Sequence, residues 1–476
     1  MTNSNPVLDV QRLVQRGEMD QAQRLLDGFR ADDGDSDSDS AIFFHACAQF
    51  HYFLGEFEKA VDLCLTVTQR APGYTNHRMI LFYACAHLGR IDILDAHFEA
   101  LVQGLNEWER QQIKFEIQYL FGQDDEIIAQ SMSYHASHPA GAIPAATGTQ
   151  LRKIRSTSLM RAYGISAGLK EYASTYTSRS AVAEIYGIKD PGYWCGDTPL
   201  PRVLHYVRGG GFGDWLQFFR YRVLLAQAGT ELVLHEPWPC LHVNPAWLND
   251  YRDMGARELL APLSGHAPHD EMWATPFSLF TPLFPLAGYL PARRAMYEEA
   301  PSPSIADLAK RIRQDARGRP CVALFWSGNE SAHGDFAWRS LRLHQVRPLL
   351  ENQDIHWIIL QRGLEMQRWL ADNLSRSTTN VDSTTDLHSL AMLLSTSSDA
   401  VVSVDSGPLH LAASLNLPTI LLSPLHADWR YERMPTATPW YPNVRIVRQP
   451  VIGDWNATVA EAHRVLQNWC RTGRLL

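Results

Sequence analysis

Basic charge is scarce in this sequence: 43 lysines and arginines face 51 aspartates and glutamates, a net charge of −8. General binding of polyanions is therefore not expected, although a local basic site is compatible with this balance. No C-x-x-C pair occurs among the seven cysteines, which are scattered and odd in number (Cys47, Cys64, Cys85, Cys195, Cys240, Cys321, Cys470). That excludes the usual zinc or dithiol spacing and suits reduced thiols packed in a core. The start lacks a basic segment followed by an apolar core, and no uncharged apolar run reaches 18 residues. Neither a secretory leader nor a membrane-spanning helix is expected, and the chain reads as cytoplasmic. The longest apolar candidate, Thr275 to Leu290, holds three prolines and a glycine and reads as buried or groove-lining. What is present, 476 residues that are 45% hydrophobic and 20% charged, is the composition of a globular protein of about three domains.

A repeat appears early. Leu54-Gly55-Glu56-Phe57 recurs as Leu88-Gly89-Arg90-Ile91, 34 residues on, with Phe121-Gly122 in phase after it and Arg16-Gly17 before it. The first interval is longer by the acidic stretch Asp32 to Ser40, whose composition cannot form a core. A 34-residue period is that of helix–turn–helix repeats, and Pro72 and Pro139 fall where second helices should stop. Residues 1–140 are thus expected to form four helical hairpins resembling degenerate tetratricopeptide repeats, each burying its neighbour's apolar face. Such an array acts either as a stabilising cap or as a concave surface for an acceptor.

Residues 141–200 read as a linker followed by a mixed segment. From 201 onward short β-rich runs alternate with helical stretches: VLHYV, a glycine-rich turn, a helix and TELVLHE, then from Cys321 VALFW, HWIIL, AVVSV, TILLS and VRIVR. Alternation of this kind predicts parallel sheets with helices on both faces. Two Rossmann-like domains facing a cleft are expected, over 201–305 and 306–476.

Three loops follow predicted strands and carry polar chemistry. In Arg208-Gly209-Gly210-Gly211-Phe212-Gly213-Asp214 the glycines permit close approach to the chain, and Asp214 stands at the carboxyl end of a strand, where ligands bind in such sheets. The same loop also fits a tight turn with Asp214 capping its helix. Leu216 occupies the third glycine position of G-x-G-x-x-G, which disfavours a nicotinamide dehydrogenase. In Asp405-Ser406-Gly407-Pro408-Leu409-His410 a hydroxyl and backbone N–H groups at a helix N-terminus suit a diphosphate, with His410 placed to neutralise a leaving phosphate. The alternative is that Asp405 or Ser406 caps that helix and His410 packs inside. Between them lie Ser327-Gly328-Asn329 and, after a polar loop, Arg339, whose guanidinium suits phosphate or sugar oxygens. Aromatics in Asp428-Trp429-Arg430-Tyr431 and Pro439-Trp440-Tyr441-Pro442 fit stacking on a ligand or interdomain packing.

RGGGFGDWLQFFRY, FWSGNESAHGDFAWRSLRL and VDSGPLHLAASLNLPTILLSPLHADWRYERMPTATPWYPNVRIVRQP, in this order after the repeats, resemble bacterial tetratricopeptide-repeat glycosyltransferases. Their C-terminal half is similar to the heptosyltransferase family and, more distantly, to O-linked N-acetylglucosamine transferases. The resemblance spans about residues 192 to 470. It implies a GT-B fold, a nucleotide-sugar donor as co-substrate, no metal and no other cofactor. It also implies that Asp214 is the general base, that its loop, with Arg208, Gly211 and Gly213, lies on the acceptor side, and that Ser327, Gly328, Asn329, Asp405, Ser406, Gly407 and His410 line the donor. On the residues' own chemistry Arg339 is expected to join them beside the donor phosphates. The chain departs from the pattern at Arg208-Gly209, where repeat-bearing relatives carry an acidic-polar pair, and at Gly334-Asp335, where Asn-Asp is usual. The expected activity is metal-independent inverting transfer of a sugar to an acceptor, a surface or flagellar type of protein. The alternatives are a heptosyltransferase-like enzyme acting on a lipopolysaccharide or other glycan, and an inactive scaffold that binds through its repeats.

Overall fold

The computed structural model describes residues 6–15, 18–31, 37–137, 144–176, 192–207, 210–235, 260–265, 267–290, 301–328, 339–361, 378–380, 387–431 and 434–475. The N-terminal part is helical. Helices α1 (Pro6–Gln15), α2 (Met19–Ala31), α3 (Asp37–Leu54), α4 (Phe57–Arg70), α5 (Arg78–Leu88), α6 (Ile91–Leu101), α7 (Glu107–Leu120) and α8 (Asp124–Ser137) pair each odd member with its successor, and α1, α3 and α5 pack in a row. Small residues sit at the crossings: Ala46, Ala60, Ala84 and Cys85 are fully buried, which lets helix axes approach closely. The repeat glycines have a local cause. Gly55, Gly89 and Gly122 follow α3, α5 and α7 with φ of 79°, 68° and 70°, left-handed helix ends that only glycine adopts without cost.

Residues 145–176, whose composition reads as linker and mixed segment, continue the array as α9 (Ala145–Tyr163) and α10 (Ile165–Tyr176). Gly168 lets the two helices pack closely, since a Cβ there would lie 2.0 Å from the Ser156 carbonyl oxygen. Tyr172 of α10 reaches Phe277 and Trp429, with ring centroids 5.5 and 5.6 Å away.

Two α/β units follow. In the first, β1 (Val203–Tyr206), β2 (Glu231–Leu234) and β3 (Glu271–Ala274) form a parallel sheet of order β2-β1-β3, with α11 (Phe212–Phe218), α12 (Arg222–Ala228) and α13 (Pro276–Ala287). The second contains α14 (Pro303–Ala316), β4 (Cys321–Phe325), α15 (Leu343–Leu350), β5 (His356–Ile359), β6 (Thr378–Asn380), α16 (Leu387–Ser397), β7 (Ala400–Val404), α17 (Gly407–Ser414), β8 (Thr419–Ser423), β9 (Ala437–Thr438), β10 (Tyr441–Arg448) and α18 (Trp455–Thr472). Its strand order is β6-β5-β4-β7-β8-β10-β9, parallel except for β9. Strands β4, β7 and β8 are buried along their whole length, as unbroken apolar runs in a parallel sheet with both faces covered require. The order reverses between β1 and β3 in the first sheet and between β4 and β7 in the second. Crevices at the carboxyl ends of such switch points are where ligands bind in open α/β sheets. No helix among the described residues is long and apolar enough to cross a membrane.

The apolar stretch at 275–290 is buried, as expected, but it is helical despite Pro282 and Pro285 inside α13. Burial of Phe277, Leu279, Phe280 and Leu283 outweighs the N–H groups that the prolines remove. The packing partners of α13 come from α10 and α11 and, across the seam, from aromatics of the second unit: Phe280 lies 4.3 Å from Phe218, 5.9 Å from Trp440 and 6.0 Å from Trp429. Arg220 is wholly buried in this seam and donates to the carbonyls of Leu290 and Trp440, each at 2.7 Å.

The helical array sits on the second unit through its left-handed turns. A Cβ on Gly55 would lie 3.1 Å from Cγ of Arg342, one on Gly89 2.8 Å from the Ile452 carbonyl oxygen, and one on Gly122 2.0 Å from Nδ1 of His426. Gly104 has a similar φ of 76° with nothing within 4 Å of such a Cβ. Gly104→Ala should therefore cost about 1 kcal/mol, the backbone penalty alone, whereas Gly89→Ala should cost about 2–3 kcal/mol because a carbonyl must also move. Urea denaturation of both variants checks this, and equal losses would show that the array does not depend on these contacts.

Candidate active site

The loop after β1 turns back into α11, where Asp214 occupies the first turn. One oxygen, Oδ2, accepts the Gly211 backbone N–H at 2.7 Å, so Asp214 does cap its own helix. The other, Oδ1, accepts from Nη2 of Arg430, a residue of the second unit. Both roles raised by the sequence, cap and cleft-facing carboxylate, thus fall to the same side chain. Gly211 is exposed and Gly213 half-buried. Gly213 is needed for contact between the units, since a Cβ on it would lie 2.5 Å from Cδ2 of His410. Arg208 and Asn329, two expected site residues, lie outside the described residues.

At the second switch point, Asp405 follows β7 and is buried. It pairs with Nη1 of Arg339 and faces Nε2 of His410 at 3.6 Å. Burial by itself would raise the Asp405 carboxyl, but Arg339, His410 and Arg430 outweigh it and hold the group well below the ordinary carboxylate range. His410 packs inside, as one of the two readings has it: its Nδ1 shares a hydrogen bond of 2.8 Å with the Tyr441 hydroxyl. The capping alternative for α17 is not what forms. Ser406 occupies the N-cap position without a side-chain cap bond, and its hydroxyl turns back to the Val404 carbonyl at 3.2 Å. The backbone N–H groups of the α17 first turn are thus left without a side-chain cap, and Gly407 brings the turn against Phe212, 3.0 Å from a Cβ placed on it.

Ser327 and Gly328 follow β4 on the other side of this switch point, yet their amides are already used. The N–H groups of Trp326 and Ser327 donate to Oε1 of Gln361 at 2.9 and 3.0 Å, and that of Gly328 to the Ser340 hydroxyl at 3.0 Å. Here the loop forms a wall held by side chains.

The residue that motif reading did not single out is Arg430. It is 7% exposed, donates from Nη1 to Asp428 Oδ1 at 2.8 Å, and reaches Asp214 across the seam. Its guanidinium lies over the rings of Trp429 and Phe218, 4.6 and 5.3 Å from their centroids. Burial would lower its pKa, but Asp428, Asp214, Tyr172 and Asp405 together raise it well above the ordinary value. The signal in the sequence was an arginine two residues after an aspartate in Asp428-Trp429-Arg430-Tyr431.

The site is therefore a closed contact between two switch points, with two arginine–carboxylate pairs and a helix N-terminus at its centre, an arrangement suited to an anionic ligand beside a carboxylate base. Residues 349–456, which include α17 and Arg430, match the model of glycosyltransferase family 9 (heptosyltransferase), and the chain is a glycosyltransferase. No curated protein matches the chain. Among solved structures it is similar to a glycosyl transferase family 9 protein from Veillonella parvula DSM 2008 (11% identity, TM-score 0.35, 59% of this chain and 91% of that one). It is also similar to E. coli ADP-heptose lps heptosyltransferase II (14%, 0.36, 56% and 99%). A mutant of Thermobaculum terrenum O-GlcNAc transferase is similar over 99% of this chain and 94% of its own, at 12% identity and a TM-score of 0.29. Likeness at these scores carries no residue from one chain to another.

The Asp405 pair gives a stability prediction. Asp405→Asn removes the carboxylate that Arg339 and His410 face and should cost about 1.5–3 kcal/mol at neutral pH, the range for a hydrogen bond to a charged group. Because the folded carboxyl titrates below its unfolded value of about 3.9, this contribution is present at neutral pH and is lost as pH falls below that value. Urea unfolding of wild type and variant should therefore differ at pH 7 and converge in acid.

Proposed function

We propose that the protein is a metal-independent, inverting glycosyltransferase of GT-B arrangement that moves a sugar from a nucleotide-sugar donor to a protein acceptor. The observation that carries this reading is the meeting of Asp214, on the first unit, with the uncapped N-terminus of α17, on the second, through the Gly213–His410 contact. A donor diphosphate beside α17 would face its backbone N–H groups and Arg339, which supply positive charge where the leaving group gathers negative charge. The anomeric carbon would then stand between this end and Asp214, which accepts the proton of the attacking acceptor group. A single displacement inverts the anomeric centre. Asp405 acts behind this front: it holds Arg339 and faces His410. What the base needs is placement within hydrogen-bond reach of the acceptor group.

The N-terminal helices, with a 34-residue phase of left-handed glycines, resemble tetratricopeptide repeats and favour a polypeptide acceptor. The family 9 match favours the second reading, a glycan acceptor of the heptosyltransferase kind. Offering the purified enzyme deglycosylated protein and truncated lipopolysaccharide acceptors separates the two.

The donor is tested first by thermal shift against uridine, guanosine, adenosine and cytidine diphosphates and their sugars, with and without chelator. A ligand at 100 times its dissociation constant stabilises by about 2.7 kcal/mol. A shift with one base family that chelator leaves unchanged is expected; no shift with any of them returns the scaffold reading. With the donor in hand, Asp214→Asn should keep nucleotide binding and lose about 10²- to 10⁴-fold in kcat, and full activity would remove Asp214 from the role of base.

A further inference from the structure

Arg430 belongs to the second unit by sequence and by its bonds. Its backbone N–H and its Nη1 both donate to Oδ1 of Asp428, at 3.0 and 2.8 Å, which fixes the start and the end of the side chain to one local carboxylate. The remaining nitrogen, Nη2, crosses the seam to Oδ1 of Asp214. The other oxygen of Asp214 is held by the Gly211 N–H at 2.7 Å. One contact to the carboxylate thus comes from its own loop and one from the opposite unit, and the two together define the plane in which the carboxylate lies. Trp429 of the second unit and Phe218 of the first both stack on the guanidinium, so the arginine is seated only when the two units are together.

We propose that Arg430 is a positioning residue for the base: Asp428 orients Arg430, Arg430 orients Asp214, and the base is aligned only while the first and second units are closed on each other. The inference rests on the reading of Asp214 as the base. A guanidinium suits this relay because its planar fork can serve two carboxylates at fixed angles and does not lose its proton. An ammonium at the same place keeps the charge and loses the fork. Small displacements of a positioned group are costly to rate, of the order of 10²-fold for about 1 Å, while binding of a donor by the other unit is untouched. Relay and ordinary glue therefore differ in what they do to kinetics.

The test uses the full-length chain and whichever nucleotide sugar of the panel above is cleaved, following release of nucleoside diphosphate with and without acceptor. Arg430→Gln should lower kcat by about 10- to 100-fold while KM for the donor and binding of the free nucleoside diphosphate stay within about twofold of wild type. Arg430→Lys should restore part of the loss. Asp428→Asn, which leaves Asp214 and its arginine in place, should move kcat in the same direction by a smaller factor. An Arg430→Gln enzyme with undiminished kcat overturns the relay, and so does one whose nucleotide binding falls in proportion to kcat, since Arg430 would then be a donor ligand. If Arg430→Gln does not fold, Asp428→Asn alone decides, and unchanged kcat in that variant overturns the proposal. A wild type that binds and cleaves no nucleotide sugar fails at the earlier step and takes the relay with it.

Discussion

Everything at the site depends on the burial of one guanidinium between two α/β units. Taking an arginine from water costs several kcal/mol unless its charge and its N–H groups are answered. Here Asp428 answers from one side and Asp214 from the other, while Trp429 and Phe218 offer their faces. Remove the first unit and Arg430 loses Asp214 and Phe218, keeping Asp428 and Trp429; remove the second and Asp214 loses its arginine. The ion pair is thus satisfied by the closed arrangement. The aromatic seam of Phe280, Phe284, Trp440 and Tyr289 around it supplies the non-directional attraction that an ion pair alone does not give.

The helical array adds a second constraint on the same arrangement. Its turns lie against Arg342, Ile452 and His426 of the second unit, while Tyr172 of α10 touches both Phe277 and Trp429. The array is therefore anchored along one edge to the second unit and at its end to both. The edge formed by the glycine turns is consumed in this contact. The repeat glycines serve two needs at once, a left-handed helix end and the absence of a side chain where another backbone comes close.

Much of the framework is legible in the sequence, and the reason is physical. Strands such as AVVSV and TILLS are buried on both faces, so nearly every residue must be apolar and the run stands out; the glycine phase stands out because the left-handed turn tolerates little else. The parts that were less legible depend on contacts distant in sequence. Helix α13 forms through Pro282 and Pro285 because α10, α11 and aromatics distant in sequence pack on it together, and nothing local announces that. Residues 145–176 become helices by packing on α8 and on the seam rather than by a strong amphipathic pattern. At the site, Asp214, Asp405 and His410 could be read because each follows a strand in a recognisable loop. Arg430 sits between aromatics in a stretch without such punctuation, and only its reach to Asp214 reveals its place. At Ser327 and Gly328 the polar loop could be read, but not that Gln361 and Ser340 hold its amides, since both partners lie further along the chain.

The two arginine–aspartate pairs also differ in kind. Arg339 and Asp405 both belong to the second unit and lie at one switch point, so this pair survives separation of the units. Under the transferase reading it is part of a preformed anion site, in which a buried carboxylate keeps a cation in place before a ligand arrives. Arg430 and Asp214 span the seam, so their pairing needs both units. Under the transferase reading, a donor can therefore meet a ready site on the second unit alone, while the base on the first becomes ordered by closure. An acceptor attack that waits for closure is also an attack from which bulk water is largely removed, and for an enzyme whose donor is hydrolysable that order of events protects the sugar from transfer to water.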